Sequence, residues 1–375
     1  MSALRQLAAA LPAAAQDALR WPDARAEAWK YSSPRTLERL DLSRAPAAAA
    51  SAVTTLEGFT TAVLDDAVMS VDAERFDWAD AVRFEAAGQG LAELARRTAP
   101  VRAAVQLTEG QRVQLSLSAH AANWSGRVLV EVAPGASATL LLVDRSAITL
   151  ANLLAQLRLG AGSTLELVRL YDAPQGSHTV EHCAVELAEG ATLRCTTLDF
   201  SAGWAHRQLD VLLAGKAARA EVSGAVRVGG RAHADHQLQL LHRAPGVSSQ
   251  TQWKALADGR ARAVFDGLIE VAASAPGTDA HLKTASLLLS PHAEIDAKPE
   301  LVIDTDAVAC SHGASVGQLD ERALFYLRSR GVPLAEARQL LCQAFLLAGI
   351  DGIADPLVAE WLLAQVKARL PDREA

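Results

Sequence analysis

Apolar and polar residues alternate with a period of two through the middle of the chain, in short runs behind small turns. The runs are GQRVQLSLS from Gly110, GASATLLLV from Gly135, GSTLELVRL from Gly162, GATLRCTTL from Gly190 and GKAARAEVS from Gly215. Such alternation is the pattern of a strand with one face buried. The leading glycines lie 25, 27, 28 and 25 residues apart, so the strands recur as units of nearly constant length. One unit cannot bury its own apolar face, whereas stacked units share a continuous core. This predicts a β-solenoid, a parallel β-helix, over residues 99–305. A β-sandwich also uses short strands between turns, but recurrence as a unit favours the solenoid.

Either side of this region the period becomes helical, so the fold class is mainly β with helical ends. Residues 1–98 form the N-terminal region: a helical stripe over 3–20, a break at Ser33-Pro34, an alanine-rich loop at 45–52 and a short helix at 89–98. Trp29 and Tyr31 supply bulk for packing this region on its neighbour. In the C-terminal region, 306–375, Ser315 and Gln318 have the form of a capping box. Asp320 and Glu321 then fall in a first turn and Arg328 and Arg330 in a last, and Gly331 stops the helix. Pro333 opens a second helix that runs to Gly349, and Asp355-Pro356 caps a third. Leu357, Val358, Trp361, Leu362, Val366 and Leu370 form a broad apolar face on that third helix, for packing on the solenoid or for a partner.

Composition narrows the function classes. The net charge of −7 without a Lys/Arg cluster argues against a nucleic-acid surface. No apolar run approaches the ~18 residues of a membrane span, and Arg5, Gln6 and Pro12 interrupt the only stretch resembling a signal peptide. The four cysteines, at 183, 195, 310 and 342, form no secretory framework, so a reduced, cytoplasmic protein is expected.

There is no Walker loop, GxGxxG, HExxH or CxxC. His233, His236 and His242 cluster, but on a strand 233 faces away from the other two, so hydrogen-bonded strand histidines are expected rather than a metal site. Cys310 and His312 are two apart in an extended stretch, taken as the link between PELVID and the following helix, and point the same way. A thiolate and an imidazole suit zinc or iron, yet a closed structural zinc site takes four ligands and a cubane cluster four cysteines. Spacing alone leaves a small thiol beside a loop histidine as the commoner reading.

The wording around the pair is more specific. KPELVIDTDAVACSHGASVGQLDERALFYLRSRGVPLAEARQLL, residues 298–341, resembles the SufB/SufD family of iron–sulfur cluster assembly proteins, its SufD branch more than its SufB branch. HQLQLLHRAPGVSSQTQWKALADGRARAVFDGLIEV, residues 236–271, and EAWKYS near the N-terminus are similar to the same family, while His281 departs from an expected glutamine-type residue. The resemblance implies a right-handed parallel β-helix between helical ends. It also implies a non-catalytic scaffold that pairs with a SufB-like paralogue across the β-helix edge. A SufC-like ABC ATPase would dock on the C-terminal helices, which accounts for the absent nucleotide loop. The nascent iron–sulfur cluster would form where the two paralogues meet, with His312 contributed by this chain and Cys310 beside it. Flavin binding by the assembled complex and a homodimer of the isolated chain stay open. The alternatives from the residues are a β-helix enzyme acting on polysaccharide, which needs clustered acids on one solenoid face, and a structural interaction module.

Overall fold

The structure is a computed structural model and describes residues 8, 21, 23, 25–50, 55–64, 69–70, 76, 90–350 and 352–370. The helix expected over 3–20 lies outside the described residues. The N-terminal region contains a 3-10 turn (Glu27–Trp29), α1 (Arg35–Glu38), β1 (Thr60–Val63), β2 (Met69–Ser70) and α2 (Gly90–Thr98). Strands follow without interruption by helix: β3 (Val101–Leu107), β4 (Arg112–Leu117), β5 (His120–Val132), β6 (Ser137–Asp144), β7 (Ala147–Leu159), β8 (Thr164–Tyr171), β9 (His178–Leu187) and β10 (Thr192–Asp199). The series continues with β11 (Trp204–Leu213), β12 (Arg219–Val228), β13 (His233–His242), β14 (Ser248–Ala257), β15 (Arg262–Val271), β16 (Thr278–Leu288), β17 (Glu294–Ile303) and β18 (Val308–Gly317). Three helices close the described chain: α3 (Glu321–Ser329), α4 (Leu334–Leu347) and α5 (Pro356–Arg369).

From β3 onward each strand pairs in parallel with the strand two later, while β1 joins β4 and β2 joins β3, which sorts them into two nine-stranded sheets. One runs β1-β4-β6-β8-β10-β12-β14-β16-β18 and the other β17-β15-β13-β11-β9-β7-β5-β3-β2. The chain therefore coils as a parallel β-solenoid of about eight turns, as the repeat predicts. Like residues stack along the coil axis: Leu140, Leu167, Cys195 and Val222 share one register line and are all buried between the sheets.

The repeat has a physical cause that its lettering partly hides. Gly110, Gly135, Gly162 and Gly190 hold φ between +66° and +72°, a left-handed conformation that costs glycine little. From Gly135 onward each donates its N–H to a carbonyl on the next coil, for example Gly162 to Glu189 at 2.8 Å. In the fifth unit the left-handed residue is Ala217 (φ 55°), not Gly215. Gly215 is required for a different reason, since a Cβ there would sit 2.0 Å from the Glu189 nitrogen.

The outer faces are covered asymmetrically. Trp29 is buried and stacks on His206 at 4.2 Å, and Leu91 and Leu94 of α2 join Leu150 and Val180, so the N-terminal region packs on the odd-numbered sheet as its aromatics suggest. On the other sheet Val168, Leu170, Leu198 and Leu256 point outward and are covered by α4 and α5 through Leu346, Val358, Trp361, Leu362 and Val366. Each such side chain contributes about 1.5–3 kcal/mol when fully buried. The apolar face of the last helix is thus mainly packing, although Leu357 stays 43 % exposed.

Candidate functional site at the open end of the solenoid

Cys310 and His312 do not lie in a link. They belong to β18, which pairs with β16 over ten residues, Thr278 with Val308 through Leu287 with Gly317. This ladder also takes up Ser315, so the expected capping box is not formed; Asp320 is the N-cap of α3 and accepts from the Arg322 N–H at 2.8 Å. The string Gly313-Ala-Ser315-Val-Gly317 has G-x-S-x-G lettering but is extended, not a strand-to-helix elbow.

Register fixes where the pair points. Cys310 lies opposite Ala280 and His312 opposite Leu282, both buried core residues, so both side chains stand on the inward face of the sheet. Among the described residues no later strand pairs with β18, so this face looks out of the uncovered end of the solenoid. Cys310 is half-buried against the core and His312 is exposed. Partial burial pushes the Cys310 thiol up, with Asp279 adding to the rise and the Ala280 backbone opposing it. The companion strand β17 ends the other sheet, and Ile295, Leu301 and Val308 complete the half-buried rim.

The histidine cluster resolves as hydrogen-bonded structure. His236 points inward, with Nε2 3.0 Å from Asp199 Oδ2, and His242 inward with Nε2 3.0 Å from Ser249 Oγ. His233 points outward to Ser32 at 2.7 Å, and burial lowers its pKa to about 4. Lys254 lies beneath α4 with its ammonium 4.5 Å from the Phe345 ring centroid, a packing contact. Among the described residues no three His, Cys, Asp or Glu side chains converge as a metal site. Cys183 and Cys195 are fully buried inside the solenoid, and Cys342 is buried on α4.

Two features escape a reading of motifs. The solenoid interior holds a charge-balanced network: Arg169 pairs with Glu181 at 2.7 Å beside Tyr171, and Arg207 with Asp199 at 2.7 Å. Arg207 and His236 hold the Asp199 carboxyl well below its usual range despite burial. Arg169 continues the inward parity of Leu165 and Leu167, which is the one sequence signal for it. The second feature is a groove of about 590 Å³ on the outer face of the sheet that ends in β18, bordered by Arg194, Glu221, Gln250, His281, Lys283 and Ser311.

Comparison with known proteins identifies the family. Residues 115–345, more than half of the chain, match the family model described as SUF system FeS cluster assembly, SufBD core domain. The chain is 31% identical over 215 residues to the Escherichia coli iron–sulfur cluster assembly protein SufD, covering 57% of this chain and 51% of that one. It is 31% identical over 220 residues to an iron–sulfur cluster assembly SufBD family protein of Synechocystis, covering 58% and 47%, and 31% identical over 206 residues to one of Mycobacterium tuberculosis, covering 53% and 52%. The chain thus spans about half the length of the curated relatives it matches. With its parallel solenoid and its match across the core domain, the chain belongs to the SufB/SufD family of iron–sulfur cluster assembly proteins.

Proposed function

We propose that this chain is a SufD-like scaffold subunit of a cytoplasmic iron–sulfur cluster assembly complex, non-catalytic in cluster assembly itself, and that its open solenoid end pairs with a SufB-like paralogue. The observation that carries the reading is the placement of Cys310 and His312 on the inward face of the last strand, at an end of the solenoid with no further coil. Two ligand atoms cannot close a cluster site, so a second chain must supply the rest. An incomplete half-site suits a scaffold that must release its cargo. His312 is the exposed ligand; Cys310, half-buried with its thiol raised, is the poorer thiolate and takes the secondary role.

The C-terminal region, 306–375, would dock a SufC-like ATPase. Phe325 and Tyr326 on α3 are 74 % and 58 % exposed, and Leu334 and Leu340 on α4 add to the apolar surface. Exposed large aromatics of this kind are the usual anchors of a protein interface. No described helix is long and apolar enough to cross a membrane.

The test is reconstitution with the paralogue and the ATPase. A His312→Ala variant should assemble the complex yet lose most cluster formation, followed by visible absorbance and bound iron and sulfide. Cys310→Ser should retain a substantial part of it. Unchanged cluster formation in His312→Ala would refute the site.

A further inference from the structure

The motif Cys-Ser-His alternates across the sheet, so Ser311 faces opposite to Cys310 and His312, onto the outer groove. There it meets His281, its register partner on β16: the Ser311 Oγ lies 2.6 Å from His281 Nδ1. On the far side of the ring, His281 Nε2 stands 2.8 Å from Asp279 Oδ1. A carboxylate at Nε2 favours the proton there and leaves Nδ1 as the acceptor for the serine hydroxyl. Nucleophile, base and orienting acid are therefore in hydrogen-bonding order, with the two imidazole nitrogens used in the sense opposite to the serine proteases.

The surroundings supply what such a relay needs. The groove of about 590 Å³ is within the size range of small-molecule sites. Next to Ser311 along β18 is Gly313, where a Cβ would meet nothing within 4 Å, so the space beside the hydroxyl is open. Lys283, opposite Gly313 in the register, is exposed and borders the same groove. Its ammonium can reach an oxyanion formed in that space. Ser315, which carries the G-x-S-x-G lettering, faces Ala285 and has no base in register.

We propose that Ser311 is an activated hydroxyl nucleophile for polar acyl esters, with His281 as general base, Asp279 as its orienting group and Lys283 as the oxyanion's counter-charge. In the step, Ser311 Oγ bonds to the ester carbonyl carbon and its proton passes to His281 Nδ1. The tetrahedral oxyanion then collapses, the bond to the leaving oxygen breaks, and that oxygen takes the proton from His281. Water, deprotonated by His281, cleaves the acyl-serine and restores the hydroxyl. No redox change occurs. This activity is independent of the cluster reading, which uses the other face of the strand.

The test is labelling of the full chain with a fluorophosphonate probe, read by intact mass and peptide mapping, with p-nitrophenyl acetate hydrolysis in parallel. One adduct at Ser311 is expected. It should be lost in Ser311→Ala, slowed on the order of 100-fold in His281→Gln, and kept in the control Ser315→Ala. Thermal melts matched to the wild type separate loss of reactivity from loss of fold. The proposal is overturned by absence of an adduct on the folded wild-type chain, by labelling that survives Ser311→Ala, or by labelling at Ser311 indifferent to His281→Gln. None of these outcomes alters the cluster test, which reads His312.

Discussion

At the scale of single residues, the interior tolerates little added volume. Trp253 and Phe265 stack at 4.8 Å inside the solenoid, with His236 5.0 Å from Trp253. Two glycines make room for them: a Cβ at Gly224 would lie 2.3 Å from the Trp253 ring, and one at Gly267 would lie 2.9 Å from Phe265. Gly224→Ala should therefore cost about 1–3 kcal/mol by overpacking, seen as a lower urea midpoint at unchanged slope. Asp266 makes a different demand. Burial pushes its carboxyl up to about 6, although Lys298 stands 3.7 Å away. Below that value the native state holds a proton that the unfolded chain, titrating near 3.9, has already lost. Stability associated with Asp266 consequently falls as pH rises from about 4 to 6 and stays low above. Asp266→Asn should raise stability at pH 7.5 relative to pH 5 by about 1 kcal/mol more than in the wild type, measured by urea titration at both values. An equal pH response in the two proteins would exclude this account.

At the scale of elements, the last helix is seated by a polar clasp as well as by its apolar face. Asp355 accepts from the Leu357 N–H at 3.0 Å and pairs with Arg112 of β4 at 3.0 Å. Glu166 of β8 accepts from the Ala354 N–H at 2.7 Å and from the Asp355 N–H at 3.1 Å. Asp355→Ala removes a cap and a partner together and should destabilise by about 1–2 kcal/mol, with faster amide exchange confined first to the start of α5. This cap was legible in the letters Asp355-Pro356, because a capping signal acts within a few residues. The solenoid was legible for a similar reason, since period-two alternation and a turn near every 27th residue are local properties repeated. Less legible was whatever depends on pairing partners. Ser315 carries the lettering of a cap, but ten residues of ladder with β16 keep it in a strand. Ala217 takes the left-handed turn because the coil spacing demands a turn there, with or without glycine. Arg169 and Arg207 sit inside because Glu181 and Asp199, on other strands, neutralise them. The same limit holds at the candidate site: the lettering singles out Cys310 and His312, but only the register with Ala280 and Leu282 shows which face they occupy.

At the scale of the whole molecule, the solenoid ends on two dissimilar strands. Every earlier coil is covered by the next, whereas β17 and β18 leave half a core's worth of rim and two unpaired hydrogen-bonding edges. Solenoids need a cap or a partner at such an end. The C-terminal helices do not provide one, since α4 and α5 cover the side of the sheet and α3 packs on α4. β17 carries the features that discourage strand addition: Pro299 within it, and Glu294, Asp296, Lys298 and Glu300 along its outer face. β18, VACSHGASVG, contains no proline and no acidic or Lys/Arg side chain, and so lacks these obstacles to strand addition. Ile303 and Val316, on the inward parity of β17 and β18, are 39 % and 48 % exposed, apolar rim that a second solenoid end would cover. Without the proposed paralogue the chain should therefore pair end to end with a second copy of itself. Light scattering after size exclusion at micromolar concentration should give a dimer mass. Val316→Glu with Ile303→Glu should give a monomer, because two carboxylates per rim meet their counterparts across a two-fold contact. Both positions are exposed, so the variant's own stability should stay within about 0.5 kcal/mol of the wild type. The same variant should fail to retain the proposed paralogue while still binding the proposed ATPase. Retention of the paralogue by the charged rim would place that interface elsewhere on the solenoid, and with it the half-site at His312.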